Sequence, residues 1–308
     1  IHSLLSLHDD APQPEQRALR AQATARMNAV TGVTERSLVV NLRPDCDITL
    51  PEAVTREAAR ALDTMARITP FPNGSPAWQD YRARFLERYS MGAVVPLSDL
   101  TDPDTGLGFP ASYRGTVLKR PVLGMSLRDE HLLALAQGAA LNDQREIVLT
   151  DEDLDALSLS EPTQVPAHVE LCFTVLARTL KDLNDGRFTL TAAGLSLAAG
   201  TTTGRFLAML EQSDRDRMTA VYAGLPTLTA GATRGQVSSA PLRLRTRNVG
   251  RAPAVVANVL AVGENNPAAT LDLDELGVVA DSQRLYLVSL RTGQVVEKIG
   301  RASCRERV

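Results

Sequence analysis

The chain has 308 residues, of which 44% are hydrophobic, 22% are charged and 4% are aromatic, and its formal net charge is −3. This composition is typical of a globular protein with one large or two ordinary domains. The near balance of charge excludes a chain that binds nucleic acid over its whole surface, so any contact with RNA must be local. No apolar run approaches the roughly 20 residues that a membrane span needs.

The cysteines and histidines are few and scattered. Cys46, Cys172 and Cys304 show no C-x-x-C spacing, which argues against a disulfide framework and against structural zinc. The four histidines include no i, i+4 pair. We therefore expect a reduced, cytoplasmic protein without a bound metal or cofactor.

Both ends of the sequence are unusual. The chain begins with Ile1 rather than Met, and residues 299–308, IGRASCRERV, read like one frame of a common sequencing adapter. We expect residues 1–298 to be an interior part of a longer domain and residues 299–308 to be non-native. The alternative for the second segment is a genuine basic tail with a free Cys304.

Helical patterns dominate the first half of the chain. Predicted helices cover residues 14–30, 51–68, a segment that ends at Tyr89, 126–141 and 151–157. Pro51 suits the start of the second of these helices. Ser126 and Thr150 are predicted N-caps, because each is followed within three or four residues by an acidic side chain.

Strand patterns dominate the second half. Predicted strands cover residues 37–42, 93–96, 146–149, 168–176, 187–191, 236–242, 254–262, 284–290 and 294–296. Residues 168–176 read as a strand buried on both faces, and the turn at 184–186 predicts a hairpin with residues 187–191. Residues 271–276, LDLDEL, read as an acidic turn. The shift from helical to β-rich predicts an α+β fold.

The segment GTTTGRF, residues 200–206, is the first candidate for a functional site. Gly200 and Gly204 permit unusual backbone geometry, and the threonine hydroxyls, such as that of Thr203, together with backbone N–H groups could hold an anion. The spacing is too short for a Walker loop. The alternative is a glycine-capped turn in which Arg205 forms a surface ion pair.

The segment LRLRTRNVGR, residues 242–251, is the second candidate. Alternation along a strand would place Arg243, Arg245 and Arg247 on one face, where three guanidinium groups could bind phosphates or a carboxylate. The same pattern fits an exposed strand face with no ligand. If the arginines do bind RNA, this is where an acidic chain would hold it.

Residues 84–110 hold the third pattern, RFLERYSMGAVVPLSDLTDPDTGLGFP. Phe85 and Tyr89 lie at helical spacing, and Asp102 suits a turn that bonds its own backbone. The segments RFLERYS, VVPL and DTGLGFP resemble, in order and spacing, a stretch of LanB-type lantibiotic dehydratases. The resemblance extends over most of residues 36–297. Ser90 stands where that family usually has Gly.

The resemblance implies an interior segment of a glutamylation domain. Such a domain transfers glutamate from glutamyl-tRNA, a co-substrate, to Ser or Thr of a precursor peptide. A separate C-terminal domain then eliminates glutamate to leave dehydroamino acids. The expected partners are the leader and core of that peptide, glutamyl-tRNA, a second copy of the chain and other biosynthetic enzymes. We expect the segment alone to be inactive.

The resemblance also implies roles for individual residues. Arg205 matches an arginine on which glutamylation depends, so it is the expected catalytic residue. The expected substrate- or tRNA-binding residues are Asn41, Thr203, Arg243, Arg245 and Arg247. Asn41 replaces an Asp of the family, which removes a charge and any role as a base. No general base is identified.

Two alternatives remain open at this stage. The chain could be a peptide-binding scaffold that keeps the fold and has lost catalysis, as the Asn at position 41 suggests. It could also belong to a standalone glutamylation protein of the thiopeptide type, with elimination on another chain.

Overall fold

The computed structural model describes residues 1–30, 38–43, 46, 48–71, 74–158, 166–196, 198–239 and 252–299. The described helices are α1 (His2–Asp10), α2 (Gln13–Val30), α3 (Glu52–Arg67), α4 (Pro76–Tyr89), α5 (Leu97–Thr101), α6 (Leu127–Leu141), α7 (Asp151–Leu157), α8 (Leu180–Asn184) and α9 (Gln212–Ala223). The described strands are β1 (Val95–Pro96), β2 (Glu170–Leu176), β3 (Thr189–Ser196), β4 (Thr233–Ser239), β5 (Asn258–Val262), β6 (Leu276–Ala280), β7 (Leu285–Ser289) and β8 (Val295–Lys298). The predicted α+β class is confirmed.

The described strands form two sheets. A six-stranded sheet has the order β1-β6-β7-β8-β4-β5, in which β4 runs parallel to β5 and β8 and the remaining pairs are antiparallel. β2 and β3 form a separate antiparallel pair with a bulge between Cys172 and Phe173. The predicted hairpin of residues 168–176 and 187–191 is thus confirmed as a pair of strands, with α8 in their connection.

The predicted helix caps are confirmed. The Ser126 hydroxyl accepts a hydrogen bond from the Asp129 N–H at the start of α6, and the Thr150 hydroxyl accepts one from the Asp153 N–H at the start of α7. In both helices the third residue returns a carboxylate to the cap backbone, which completes a capping box. Two orphan N–H groups are satisfied in each helix, so the sequence alone fixes where these helices begin.

The main hydrophobic core joins α4 to one edge of the six-stranded sheet. Phe85 on α4 is fully buried, and it packs in one cluster with Tyr81, Val95, Leu100 and Val278. Burial of one aromatic side chain of this size contributes roughly 2–3 kcal/mol. The core therefore uses the apolar stripe of the helix that the sequence predicted.

The loop after α5 closes on itself through polar contacts. The Asp102 carboxylate accepts hydrogen bonds from the Asp104 and Thr105 N–H groups at 2.7 and 3.2 Å. Arg88 donates to the carbonyl oxygens of Thr105 and Gly106 at 2.7 and 3.1 Å. The predicted Asp102 turn is confirmed, and these contacts give the segment a structural role.

Gly106 and Ser90 are the two positions in this region where backbone geometry constrains the residue. A Cβ atom on Gly106 would lie 2.0 Å from the Asp99 carbonyl oxygen, so no larger residue fits there. Ser90 ends α4 with φ 70° and ψ 167°, a conformation almost confined to glycine that costs about 1–3 kcal/mol in other residues.

Two strand predictions are wrong. Residues 38–42 and 146–149 form no strand, and no neighbouring strand among the described residues pairs with them. Their aliphatic side chains are exposed: Val39, Leu42 and Val148 are 54%, 81% and 87% accessible. An extended segment needs a partner for its N–H and C=O groups, and the pattern of apolar residues cannot supply one.

The prediction that residues 168–176 are buried on both faces is also wrong. Strand β2 is only partly buried along its length, and Thr174 and Leu176 are exposed. The strand has one partner, β3, so it lacks the second neighbour of a strand buried in a sheet. Its polar residues instead face a loop, as described below.

Several predictions concern the termini, metals and membranes. Ile299 is fully buried and its N–H donates to the Gly235 carbonyl oxygen at 2.8 Å, whereas residues 300–308 lie outside the described part of the chain. The interpretation of residues 299–308 as non-native stays a prediction. Among the described residues, no helix is long and apolar enough to cross a membrane. The described residues likewise contain no cluster of three or more metal-binding side chains.

Candidate functional site

The GTTTGRF segment forms a tight turn that leads into a short 3-10 helix, Gly204–Met209. Gly200 has φ 79°, in the left-handed region that favours glycine, and its carbonyl oxygen accepts the Gly204 N–H at 3.0 Å. Gly204 is buried, and a Cβ there would lie 3.4 Å from the Ala252 side chain. We refer to residues 200–203 as the Thr loop.

The Thr loop binds an anion, and that anion is the carboxylate of Glu170 on β2. The Glu170 Oε1 atom accepts hydrogen bonds from the Thr202 N–H at 2.9 Å and the Thr203 N–H at 3.2 Å. Its Oε2 atom accepts one from the Thr203 hydroxyl at 3.4 Å. The predicted anion cradle is present, and a side chain of the protein itself occupies it.

The residues on either side of Glu170 on the same strand face contact the Thr loop and the residue just before it. The Ala199 N–H donates to Nδ1 of His168 at 3.1 Å, and the Cys172 sulfur lies 3.3 Å from the Thr202 hydroxyl. Burial lowers the pKa of His168, which agrees with a neutral ring whose Nδ1 accepts a hydrogen bond. The alternation H-x-E-x-C in the sequence is the signal that could have identified this face.

Tyr222 on α9 contacts the loop from a different direction. Its hydroxyl lies 2.5 Å from the Thr203 hydroxyl, and the side chain is 5% exposed. Burial raises the pKa of Tyr222, and the nearby Glu170 carboxylate raises it further. The Thr203 hydroxyl therefore has two protein partners, and its predicted role in substrate binding stays a prediction.

Arg205 is the first charged residue after the Thr loop, at the start of the 3-10 helix. Its guanidinium carbon lies 4.3 Å from the centre of the Phe206 ring, a cation–π contact, and the residue is partly buried. Within the described part of the chain, no carboxylate pairs with Arg205. The surface ion pair considered as the alternative is therefore absent from the described residues.

The far end of the same 3-10 helix is held by a second arginine. Arg215 on α9 donates to the carbonyl oxygens of Leu207, Ala208 and Leu210 at 3.1–3.2 Å. These are orphan carbonyl groups at a helix end, which a cation satisfies. The helix that carries Arg205 is thus fixed at its start by a carboxylate and at its end by a guanidinium.

The segment that contains Asn41 is brought to this helix. Arg43 donates to the Glu211 carboxylate at 2.8 Å and to the Met209 carbonyl oxygen at 3.5 Å. Asn41 is partly buried and precedes Arg43 by two residues, so their Cα atoms are at most about 7 Å apart. Asn41 therefore belongs to a segment that contacts the end of the helix that carries Arg205.

The arginine-rich segment is the one predicted site element that the structure does not place. Arg243, Arg245 and Arg247 fall in residues 240–251, outside the described residues. The segment that follows them is fixed, because the buried Gln236 side chain binds the Pro253 carbonyl oxygen and the Val255 N–H at 2.9 and 2.8 Å. Ala252 in that segment lies against Gly204.

Comparison with known protein families identifies the chain. The sequence profile described as "Lantibiotic dehydratase, N terminus" matches residues 1–302. The chain belongs to this family. None of the curated proteins compared with the chain matches it.

The chain is similar to the tRNA-dependent lantibiotic dehydratase MibB from Microbispora sp. 107891. The two are 31% identical, with a TM-score of 0.85 over 98% of this chain and 30% of the MibB chain. This chain thus spans 30% of the length of that relative. Two structures of the glutamylation domain TbtB from thiomuracin biosynthesis, one bound to 5'-phosphodesmethylglutamycin, are 16% and 17% identical, with TM-scores of 0.46 and 0.47 over 83% of this chain and 33% of theirs.

Proposed function

We propose that this chain is the part of a glutamylation domain that holds Arg205 against the glutamyl group during its transfer from tRNA to a precursor peptide. In this reaction the oxygen of a Ser or Thr hydroxyl attacks the ester carbonyl of glutamyl-tRNA. The bond from that carbonyl to the terminal ribose oxygen breaks, and the ribose oxygen gains the proton that the peptide hydroxyl loses. The proposed transfer uses no metal and no bound cofactor.

The observation that carries the proposal is the environment of the Arg205 guanidinium group. Its guanidinium is carried on a fixed helix, it stacks on Phe206, and no carboxylate among the described residues neutralises it. A guanidinium in such a position is suited to the side-chain carboxylate of glutamate or to the oxyanion that develops at the ester. Membership of the lantibiotic dehydratase family and the likeness to MibB support this assignment.

We further propose that Arg243, Arg245 and Arg247 bind tRNA phosphates and that Thr203 and Asn41 contact the substrates. The contact of Ala252 with Gly204 supports a location near Arg205 for the chain that follows these arginines. A second copy of the chain and other biosynthetic enzymes are proposed partners. Elimination of glutamate to dehydroalanine or dehydrobutyrine would follow in a separate domain.

The test replaces Arg205 in the complete protein that carries this sequence. With glutamyl-tRNA and precursor peptide supplied, we expect Arg205→Ala to lower the rate of peptide glutamylation, measured by mass spectrometry, by about 100-fold, as for other groups that stabilise an oxyanion. Arg217→Ala is the matched control, because Arg217 on α9 is exposed and paired with Asp214 at 3.0 Å. It should stay within about twofold.

Two results would contradict the proposal. The first is unchanged glutamylation by Arg205→Ala in a folded protein. The second is the absence of glutamylation by the wild-type protein together with no gain on changing Asn41 to Asp, which would favour the peptide-binding scaffold. If glutamylation occurs and dehydration does not, the standalone thiopeptide type is favoured.

A further inference from the structure

Glu170 is a carboxylate beside the helix that carries Arg205, and the sequence suggested no role for it. Its side chain extends from β2 towards the Thr loop, where the carboxylate accepts three hydrogen bonds, two of them from consecutive backbone N–H groups. Thr202 and Thr203 directly precede the 3-10 helix. The direction of their N–H groups therefore fixes the first turn of that helix, and with it the backbone position from which the Arg205 side chain extends.

We propose that Glu170 is a positioning residue for Arg205: by holding the Thr202 and Thr203 amides, it sets the orientation in which the guanidinium meets the glutamyl ester. This inference rests on the proposed function. Glu170 itself touches neither substrate. Its carboxylate is engaged by the loop, so it also leaves the positive charge of Arg205 available for a ligand.

The surrounding hydrogen bonds also hold the backbone that leads into the helix carrying Arg205. Tyr222 holds the Thr203 hydroxyl, and His168 holds the Ala199 N–H, so together with Glu170 three side chains converge on five consecutive residues, 199–203. Arg215 fixes the other end of the helix through its carbonyl groups. These contacts hold the backbone of the 3-10 helix at both ends, and Arg205 extends from its first turn.

A carboxylate on another strand binds two consecutive loop amides in the same way and provides a control. Glu297 on β8 accepts hydrogen bonds from the consecutive N–H groups of Leu228 and Thr229, both at 2.7 Å. It also lies 3.7 Å from Arg284. Loss of Glu297 removes a carboxylate from two loop amides and no hydrogen bond from the Thr loop. Its charge does act on His168, whose pKa it raises.

The choice of variant follows from the contacts of Glu170. Both backbone N–H groups bind a single oxygen, Oε1, so the carbonyl oxygen of a Gln can accept both. The Gln amide can then donate to the Thr203 hydroxyl in place of Oε2. Glu170→Gln should therefore keep the loop in place, whereas Glu170→Leu leaves two N–H groups without an acceptor.

The first experiment is a double-mutant cycle in the complete protein that carries this sequence. We expect Glu170→Leu to lower kcat for glutamylation by about tenfold or more, with KM for the peptide within about twofold, and Glu170→Gln to restore kcat to within about threefold of wild type. In an Arg205→Ala background, Glu170→Leu should cause no further loss, because residues that act through one group are not additive. Glu297→Leu should lower kcat equally in both backgrounds, or leave it unchanged.

The second experiment is hydrogen exchange of this chain, read by mass spectrometry, which requires no activity. Glu170→Leu should speed exchange in a peptide that covers residues 199–206, and Glu170→Gln should not. If Glu170→Leu does not fold, by near-ultraviolet circular dichroism, Tyr222→Phe replaces it in the cycle. Tyr222→Phe removes the contact with the Thr203 hydroxyl and should show a smaller loss that also disappears without Arg205.

The outcomes separate this inference from the proposed function. Equal losses for Glu170→Leu in the wild-type and Arg205→Ala backgrounds would overturn the positioning role, as would full activity of a Glu170→Leu protein whose loop exchanges faster. In both cases Arg205→Ala would still be impaired, and the proposed function would stand. If Arg205→Ala were fully active, the proposed function and the inference would both fail.

Discussion

The loop after α5 and the Thr loop are both held by a carboxylate, but the two carboxylates come from different parts of the chain. In each, a carboxylate accepts two backbone N–H groups near an arginine. In the loop after α5 the carboxylate is Asp102, which lies two and three residues before the amides that it binds. In the Thr loop the carboxylate is Glu170, which comes from β2, more than thirty residues earlier in the chain.

The arginines differ correspondingly. Arg88 directs both of its terminal nitrogens to the carbonyl groups of Thr105 and Gly106, so its charge is used within the fold. Arg205 stacks on Phe206 and, within the described residues, pairs with no carboxylate. A loop closed by its own residues is thus a packing element, whereas a loop shaped by a distant strand can leave a charge available for a ligand.

The largest expected effect is at Gly106 in the first loop. A Cβ atom there would lie 2.0 Å from the Asp99 carbonyl oxygen and 2.5 Å from that of Leu100, and both are backbone atoms that cannot turn aside. Gly106→Ala should lower the free energy of unfolding by about 4 kcal/mol, measured by urea denaturation. Gly138→Ala in α6 is the control, because no atom outside the neighbouring backbone of α6 lies within 4 Å of a Cβ there, and it should raise stability by about 0.5–1 kcal/mol. A loss below about 1 kcal/mol at Gly106 would show that the first loop yields easily.

The second effect compares the two arginines directly. Arg88→Met should lower the free energy of unfolding by about 1–3 kcal/mol, because two loop carbonyl groups lose a charged donor. Arg205→Met should change it by less than about 0.5 kcal/mol, since methionine keeps the apolar contact with Phe206 and no ion pair is lost. Thermal and urea unfolding of the two variants side by side is the measurement. Equal losses of unfolding free energy in the two variants would contradict the proposed difference between the loops.

The smallest expected effect is the pH dependence of stability that arises from His168, beside the Thr loop. Burial lowers the pKa of His168, so the unfolded chain binds a proton more readily than the folded one. The stability that depends on neutral His168 is present above its ordinary pKa, near 6.5, and is lost as the pH falls through the lower folded pKa. The thermal midpoint should therefore decline between about pH 7 and pH 5.

His168→Asn is the control for this titration. The Asn side-chain oxygen can take the place of Nδ1 and accept the Ala199 N–H, and it does not titrate. The decline above about pH 5 should become shallower in this variant. An identical profile would mean that other groups cause it. The carboxylates of Asp129 and Asp153, whose pKa values are lowered by hydrogen bonds from their own helix caps, lose their contribution only at lower pH.

The parts of the fold that were predicted correctly are those in which the information is local. A hydroxyl followed three residues later by a carboxylate fixed the starts of α6 and α7. Asp102 bonds to amides two and three residues away, which a turn pattern reveals. The role that the family resemblance implied for Arg205, from its place in an ordered series of motifs, stays a prediction.

The parts that were missed depend on contacts between distant residues. Strand β6 is buried along its whole length between β1 and β7, yet its sequence LGVVA follows a predicted turn and gives no period. Residues 146–149 have the same apolar character and form no strand, since no partner meets them among the described residues. Glu170 was overlooked because only the folded chain shows which loop its strand faces.

The pairing of β1 with β6 has a consequence for the synthesis of the protein. Val95 and its partner Val278 are 183 residues apart in the chain (278 minus 95). At the usual rate of about 5–20 residues per second, a ribosome needs roughly 10–40 s to make that interval. During this time Tyr81, Phe85 and Leu100 have emerged without the strand that covers them. The nascent chain therefore exposes the apolar side of residues 81–100 until residues 276–280 have been translated.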